Sequence, residues 1–267
     1  MSAVPKYISQ LQNTKVLIIG GSSGIGLSVA AALIEEGACV VIASSRQAKV
    51  DEAIVRLNDP KLQYNADPSR VVGYTVDLQG PGAEESLRKF FDQVGTIDHL
   101  IYTAADPLPI KPLKEQTYES IVSTGNIRLF STILAVKTAV YGGYLKEGGS
   151  IILTSGCAWQ YPYADWTVIC AYAGALVSLA KALALDLSSK SIRCNVIAPG
   201  PILTDVWKGV PDEAVKAMAA SALTGKLGLP EWVAQSYVYA LKSPNVNGEC
   251  IGDDGGAYAP KRTGKDQ

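Results

Sequence analysis

Histidine is all but missing from this chain: His99 is the single one in 267 residues, placed after a turn signal at the head of an apolar run, a structural setting rather than a catalytic one. Net charge is nearly missing too, at −1 with lysines and arginines scattered, which argues against nucleic acid or a membrane surface as a partner. No apolar run reaches the roughly 18 residues of a membrane-spanning helix. The opening MSAVPKYISQ has no apolar signal core, so a cytoplasmic protein is expected. The five cysteines, Cys39, Cys157, Cys170, Cys194 and Cys250, lie far apart without metal-ligand spacing. They read as buried reduced thiols, and no metal site is expected. Linkers, tandem repeats and low-complexity segments are absent as well, so residues 1–267 are expected to form one domain. The polar tail over 257–267 is read as mobile or as part of an oligomer contact.

What is present is a large apolar fraction, 48%, in a strongly patterned arrangement. The stretch Val16 to Ala30, VLIIGGSSGIGLSVA, is a short β-branched run that ends in glycines and passes straight into a helical pattern. In such a strand–turn–helix, Gly20 allows the sharp turn, Gly24 lets the backbone approach a pyrophosphate, and Gly26 lets the helix pack close on the strand. Ser22, Ser23 and Ile25 complete a loop whose free N–H groups and helix dipole suit phosphate. Further apolar runs predict strands at Cys39–Ala43, Val71–Thr75, His99–Tyr102, Ile151–Thr154, Arg193–Ile197 and Glu249–Ile251. Helices are expected near Gly24–Glu36, Ala48–Leu57, Ala83–Val94, Tyr118–Leu145, Thr167–Leu187 and Pro230–Leu241. Strand–helix alternation of this kind predicts an α/β protein: a Rossmann-type, doubly wound parallel sheet with helices on both faces and its ligand at the carboxyl ends of the strands.

The second predicted strand runs into Ser44, Ser45 and Arg46. A site preferring NAD usually has an acidic residue here for the ribose hydroxyls. Two hydroxyls and a guanidinium suit a 2′-phosphate instead, so NADP(H) is the expected cofactor, with Ser22 and Ser23 able to add hydrogen bonds. Arg46 also reads as a solvated helix-start residue. Asp77, past the third strand, is placed to accept from the adenine amine, or to cap a helix.

Taken in order, Gly20, Gly24 and Gly26, Asp77-Leu78, Asp98, Ser155, Ile192-Arg193-Cys194-Asn195, Pro199-Gly200 with Thr204, and Gly252-Asp253-Asp254-Gly255-Gly256 resemble the short-chain dehydrogenase/reductase family along nearly the whole chain. The resemblance implies that Pro199, Gly200, Ile202 and Thr204 sit beside the nicotinamide. It also implies that Tyr102-Thr103-Ala104-Ala105 replaces the family's Asn-Asn-Ala-Gly, with Ala104 at the cofactor. That family moves its proton with a Ser, a Tyr-x-x-x-Lys pair and an assisting Asn. No tyrosine here is followed four residues later by lysine. Counting from both anchors puts the Ser position at Gly156, Tyr at Ile169 and Lys at Ala173; Arg128, or with a shift Asn126, stands at the Asn position.

A pocket without its acid suits an acceptor that needs none. Hydride transfer to an iminium carbon neutralises a cation, whereas a ketone yields an alkoxide that wants a proton. The loop from Gly156 to Trp166 carries Trp159, Tyr163, Trp166 and one carboxylate, Asp165, and is expected to face Trp207 across the cavity. Aromatic walls suit a flat apolar substrate and can stack on a cation. Asp165 is placed to pair with such a cation or to cap the next helix. Arg128 is placed to hold a substrate oxygen or carboxylate, or to act as an ordinary salt-bridge partner, and each tryptophan also reads as core. This combination resembles the fungal NADPH-dependent bifunctional reductase/intramolecular Diels–Alderases of prenylated indole alkaloid (malbrancheamide-type) biosynthesis. That resemblance implies Asp165 and Arg128 as catalytic groups and reduction of a zwitterionic dipeptide product followed by cycloaddition to a bicyclo[2.2.2]diazaoctane. Two other readings stand beside it: a ketone or enone reductase whose acid has moved to Asp165, Tyr161 or Tyr163, and a redox-silent NADP(H)-binding protein. The family further implies a homodimer or homotetramer acting on a small molecule.

Overall fold

Alternate side chains of β1 (Lys15–Ile19) enter opposite cores, as expected of a strand covered on both faces. Leu17 and Ile19 join one cluster, with Phe90 and Phe91 of α3 (Ala83–Val94), Val136 of α5 (Ser131–Tyr141) and Leu176 of α6 (Thr167–Asp186). Val16 and Ile18 join the other, with Leu33 of α1 (Gly24–Glu35), Leu57 of α2 (Gln47–Leu57) and Tyr237 of α8 (Pro230–Lys242). Burying each such side chain contributes about 1.5–3 kcal/mol, so these two layers carry the fold. The computed structural model describes residue 7 and residues 10–59, 68–204 and 212–257.

The sheet has seven strands in the order β3-β2-β1-β4-β5-β6-β7, every pair parallel. The other six are β2 (Cys39–Ser44), β3 (Val71–Thr75), β4 (Ile97–Tyr102), β5 (Leu145–Thr154), β6 (Arg193–Pro199) and β7 (Cys250–Asp253). The winding reverses between β1 and β4, which opens a crevice at their carboxyl ends. This is the Rossmann-type doubly wound sheet that the strand–helix alternation predicts.

Three departures matter. The expected helix over 118–145 is two helices, α4 (Tyr118–Gly125) and α5, joined by a π-helical turn, Asn126–Phe130. Its last residues are not helical: Gly142 and Gly143 end α5, and Leu145 already pairs with Ile97, so β5 begins six residues before the expected start. A helix absent from the sequence reading, α7 (Asp212–Ser221), lies between β6 and α8. Finally, α6 is long and apolar enough to cross a membrane by length and composition, contrary to expectation, because it is rich in alanine, leucine and valine on every side. Here its Ile169, Ala173, Leu176, Val177 and Ala180 are buried against the protein, and a third of its apolar window is buried in all.

Candidate active site

At the crevice lies a cavity of about 590 Å³, within the range of small-molecule and cofactor sites. One end is built from backbone and hydroxyls. Gly26 packs so tightly that a Cβ there would lie 2.3 Å from the Gly20 carbonyl oxygen, and one on Gly20 would lie 2.4 Å from the Ala104 nitrogen. The turn is thus pinned against β1 and the segment after β4, and the start of α1 faces the cavity. Ser22 Oγ donates to Ser44 Oγ at 2.9 Å. Ser23, Ile25, Ser45, Arg46 and Asp77 join them on the wall, and so does Lys49, one turn into α2, which the sequence reading passed over. Arg46 is the N-cap residue of α2 and also lines the cavity. Asp77 is no helix cap; its Oδ1 accepts the Gln79 N–H at 2.9 Å in a tight turn. A glycine cradle, hydroxyls and two cations fit the pyrophosphate and phosphorylated ribose of a dinucleotide.

The other end is apolar where proton transfer is usually organised. Pro199, Gly200, Ile202 and Thr204 line one side of it. Ile169 and Ala173 line the other, both buried, and Gly156 is on the wall with no hydroxyl to offer. The adjacent Ser155 donates its Oγ–H to the Ala173 carbonyl at 2.8 Å. Two tyrosines reach the cavity from the substrate side, Tyr163 and Tyr172, and the Tyr172 hydroxyl donates to the Ile121 carbonyl at 3.0 Å. Among the described residues the only lysine on the wall is Lys49, at the far end. No tyrosine–lysine couple is assembled there.

The family profile of the SDR-like Rossmann domain matches residues 7–259. The chain belongs to the short-chain dehydrogenase/reductase family. Membership makes it an oxidoreductase by descent and implies a nicotinamide cofactor in this cleft. It is 33% identical over 268 residues to the short-chain dehydrogenase/reductase fsr5 of Gibberella fujikuroi, covering 96% of this chain and 98% of the relative. It is 34% identical over 250 residues to the short-chain dehydrogenase/reductase malC of Malbranchea aurantiaca, covering 90% and 93%. The solved structure of the MalC reductase/Diels-Alderase from that organism superposes with a TM-score of 0.84 at 31% identity, covering 94% of this chain and 98% of that one. A short-chain dehydrogenase from Burkholderia cenocepacia, solved in complex with NADP, superposes with a TM-score of 0.80 at 26% identity, covering 94% and 100%.

In this short-chain dehydrogenase/reductase the π-turn distinguishes Arg128 from Asn126, the two candidates for the assisting Asn position. Arg128 lines the cavity, while Asn126 is not on its wall and donates Nδ2–H to Gln79 Oε1 at 2.7 Å. A π-turn shifts the backbone hydrogen bonds by one residue, and such turns recur at functional sites. Here Tyr102 donates its hydroxyl to the Ile127 carbonyl at 2.8 Å and Thr132 Oγ1 donates to the Arg128 carbonyl at 2.9 Å, fixing the turn. The Arg128 guanidinium donates to the main-chain carbonyl of Asp106, while its Nε–H is buried with no partner. Burial pushes the Arg128 pKa down, and the charge of Asp106 opposes that shift.

Of the expected pocket residues, Tyr163, Trp166 and Ile169 do line the cavity, the first two with ring centroids 5.0 Å apart. Two do not. Asp165 adopts a left-handed backbone, φ 65°, is exposed, and is not on the cavity wall; its main-chain carbonyl accepts the Lys111 N–H at 3.3 Å. Nor does it cap α6, whose N-cap residue is Trp166. Trp159 is also off the wall and 38% exposed. Trp207 and the tail from residue 258 onward lie outside the described residues. Leu108, missed in the sequence, joins Ala158, Tyr163, Trp166, Ile169 and Met218 of α7 in a separate apolar cluster over the site. Its only sequence signal is an isolated leucine between prolines.

Proposed function

We propose that this enzyme uses NADPH to reduce an iminium or zwitterionic cyclised prenylated dipeptide. A stereocontrolled intramolecular [4+2] cycloaddition in the same cavity then gives a bicyclo[2.2.2]diazaoctane indole alkaloid. The observation that carries this reading is the apolar floor of the cavity: Ile169 and Ala173 are buried there and cannot move a proton, at positions that the family resemblance assigns to its proton-transferring tyrosine and lysine. A bound reduced nicotinamide supplies the hydride. The cationic acceptor carbon is neutralised by that transfer, so no side chain has to hand over a proton there. Arg46, Ser22, Ser44 and Ser45 hold the phosphorylated ribose, and Pro199 to Thr204 stand against the reactive half. Trp166, Tyr163 and Ile169 offer a flat apolar wall on which diene and alkene can be held in a reactive pose, an orientation effect worth about 7–11 kcal/mol at most. The likeness to the MalC reductase/Diels-Alderase supports the pairing of the two steps. As a unit, the chain is proposed to be one domain, to act in the cytoplasm and to assemble as a homodimer or homotetramer. The exposed Ile133 and Leu185 on α5 and α6 favour assembly, and sedimentation checks it.

Incubation with a prenylated dipeptide zwitterion and NADPH should consume NADPH and yield enantioenriched bridged product. Racemic product, or a yield equal to the enzyme-free control, overturns the cyclase role. A second reading has one observation in its favour: the Tyr163 phenol lies on the cavity wall, where a displaced acid for a ketone or enone would stand. Under that reading simple carbonyl substrates turn over, Tyr163→Phe abolishes the reaction, and the zwitterion is ignored.

A further inference from the structure

We propose that Asp106, not Asp165, supplies the carboxylate that faces a cationic substrate, and that Asp106 and Arg128 together select a ligand carrying both charges. The inference rests on the cationic-acceptor reading above and adds the residues that recognise the charge. Two carboxylates line the cavity among the described residues, Asp77 and Asp106. Asp77 belongs to the adenosine end: it follows β3, its neighbour Val76 donates an N–H to the Ser44 carbonyl, and one of its own oxygens is taken by Gln79. Asp106 belongs to the other end. It lies four residues past β4, two residues before Leu108, and its main-chain carbonyl is held by the Arg128 guanidinium. Its side chain is exposed at the cavity mouth rather than spent on a neighbouring helix.

Arg128 supplies the second half of the argument. Its Nε–H is shut in without an acceptor and another of its N–H groups is held on the Asp106 carbonyl, so the guanidinium is fixed at the wall. The site therefore presents a fixed cation next to a carboxylate. A ligand with an anionic oxygen and a cationic nitrogen satisfies both at once, the oxygen against the Arg128 guanidinium and the cation against Asp106. A neutral carbonyl compound satisfies only the first. Apolar neighbours on the same wall, Leu108 and Trp166, lower the local dielectric and make the charge match more selective. The substrate class that follows is a zwitterion or an iminium with a nearby oxyanion, rather than a ketone.

The test measures binding to the NADP⁺-loaded enzyme by titration calorimetry, using N-methyl dihydro-β-carbolinium as the cation and its neutral lactam analogue as control. Wild type should prefer the cation. Asp106→Asn keeps the main-chain carbonyl on Arg128 and should reduce that preference roughly five- to tenfold, with Asp106→Glu restoring it in part. If Asp106→Asn binds the cation as wild type does, or if Asp165→Asn loses as much or more, the assignment to Asp106 is overturned while the proposed reaction stands. An equal loss for cation and lactam in Asp106→Asn marks structural damage and also overturns it. If wild type itself does not distinguish cation from lactam, the cationic-acceptor reading falls, and this inference falls with it.

Discussion

The two ends of the cavity are built by different means. At the adenosine end the ligand surface is mostly backbone and short hydroxyls, locked by glycine contacts of 2.3–2.4 Å to a hypothetical Cβ and flanked by Arg46 and Lys49. At the other end it is made largely of side chains, and Ile169, Ala173 and Gly156 bring no proton-transferring group to it. The first end cannot change much without losing the fold, since the turn that binds phosphate is also the turn that joins β1 to α1. The second end is made of side chains whose exchange leaves that turn in place. The fold therefore keeps its cofactor cleft while the chemistry drifts.

That contrast can be broken at several points. The largest effect is expected from Gly26→Val, where the new side chain would meet the Gly20 carbonyl and Thr103 Oγ1. NADPH affinity should fall by more than about a hundredfold, and stability by about 3 kcal/mol, read from fluorescence titration and thermal unfolding. A variant that binds NADPH normally would show that the cradle is not rigid.

On the central strand of the sheet, in the first half of β4, His99 Nδ1 lies 2.8 Å from Ser150 Oγ, and burial pushes the His99 pKa down from its ordinary 6.5 to about 4. The folded state favours the neutral ring. This stabilisation is therefore complete above pH 6.5 and is lost as pH falls from 6.5 to 4, an effect of about 2 kcal/mol. Urea unfolding at a series of pH values should show that slope, and His99→Gln should flatten it. Such a variant sharpens the comparison, because it perturbs the sheet far from the cavity.

Arg46→Ala tests the polar end alone. Affinity for NADPH should fall about tenfold, or about 1.4 kcal/mol, while affinity for NADH changes little. Equal losses for both would remove the 2′-phosphate from the account. The smallest effect is expected from Tyr172→Phe. Its hydroxyl is spent on the Ile121 carbonyl, so stability should drop by less than about 1 kcal/mol and iminium turnover by less than about threefold. A much larger loss of turnover would identify Tyr172 as the missing acid.

Much of this was legible in advance. The glycine turn, the seven strands and the lack of any Tyr-x-x-x-Lys pair follow from local spacing, because each is fixed by residues within a few positions of a recognisable anchor. The π-turn was not legible: Asn126 to Phe130 has the same helical pattern as its flanks, and only the contacts with Tyr102 and Gln79 reveal the shift. α7 carries an ordinary helix-start signal in Asp212-Glu213, but its ten residues are rich in alanine and lack a strong apolar stripe. Asp165 looked like the site carboxylate because it sits in the aromatic loop. Where its side chain goes depends on a positive φ that sequence does not announce.

The sequence by itself determined the doubly wound sheet, the dinucleotide end of the cleft and the loss of the proton-transferring pair, since these are properties of periodicity and of residues near one another in the chain. Which charges line the cavity is a matter of tertiary structure. Asp106 and Arg128 are brought together on its wall from different segments, whereas Asp165, with its left-handed backbone, lies off it, and contacts of that kind exist only once the sheet has set the distances between loops.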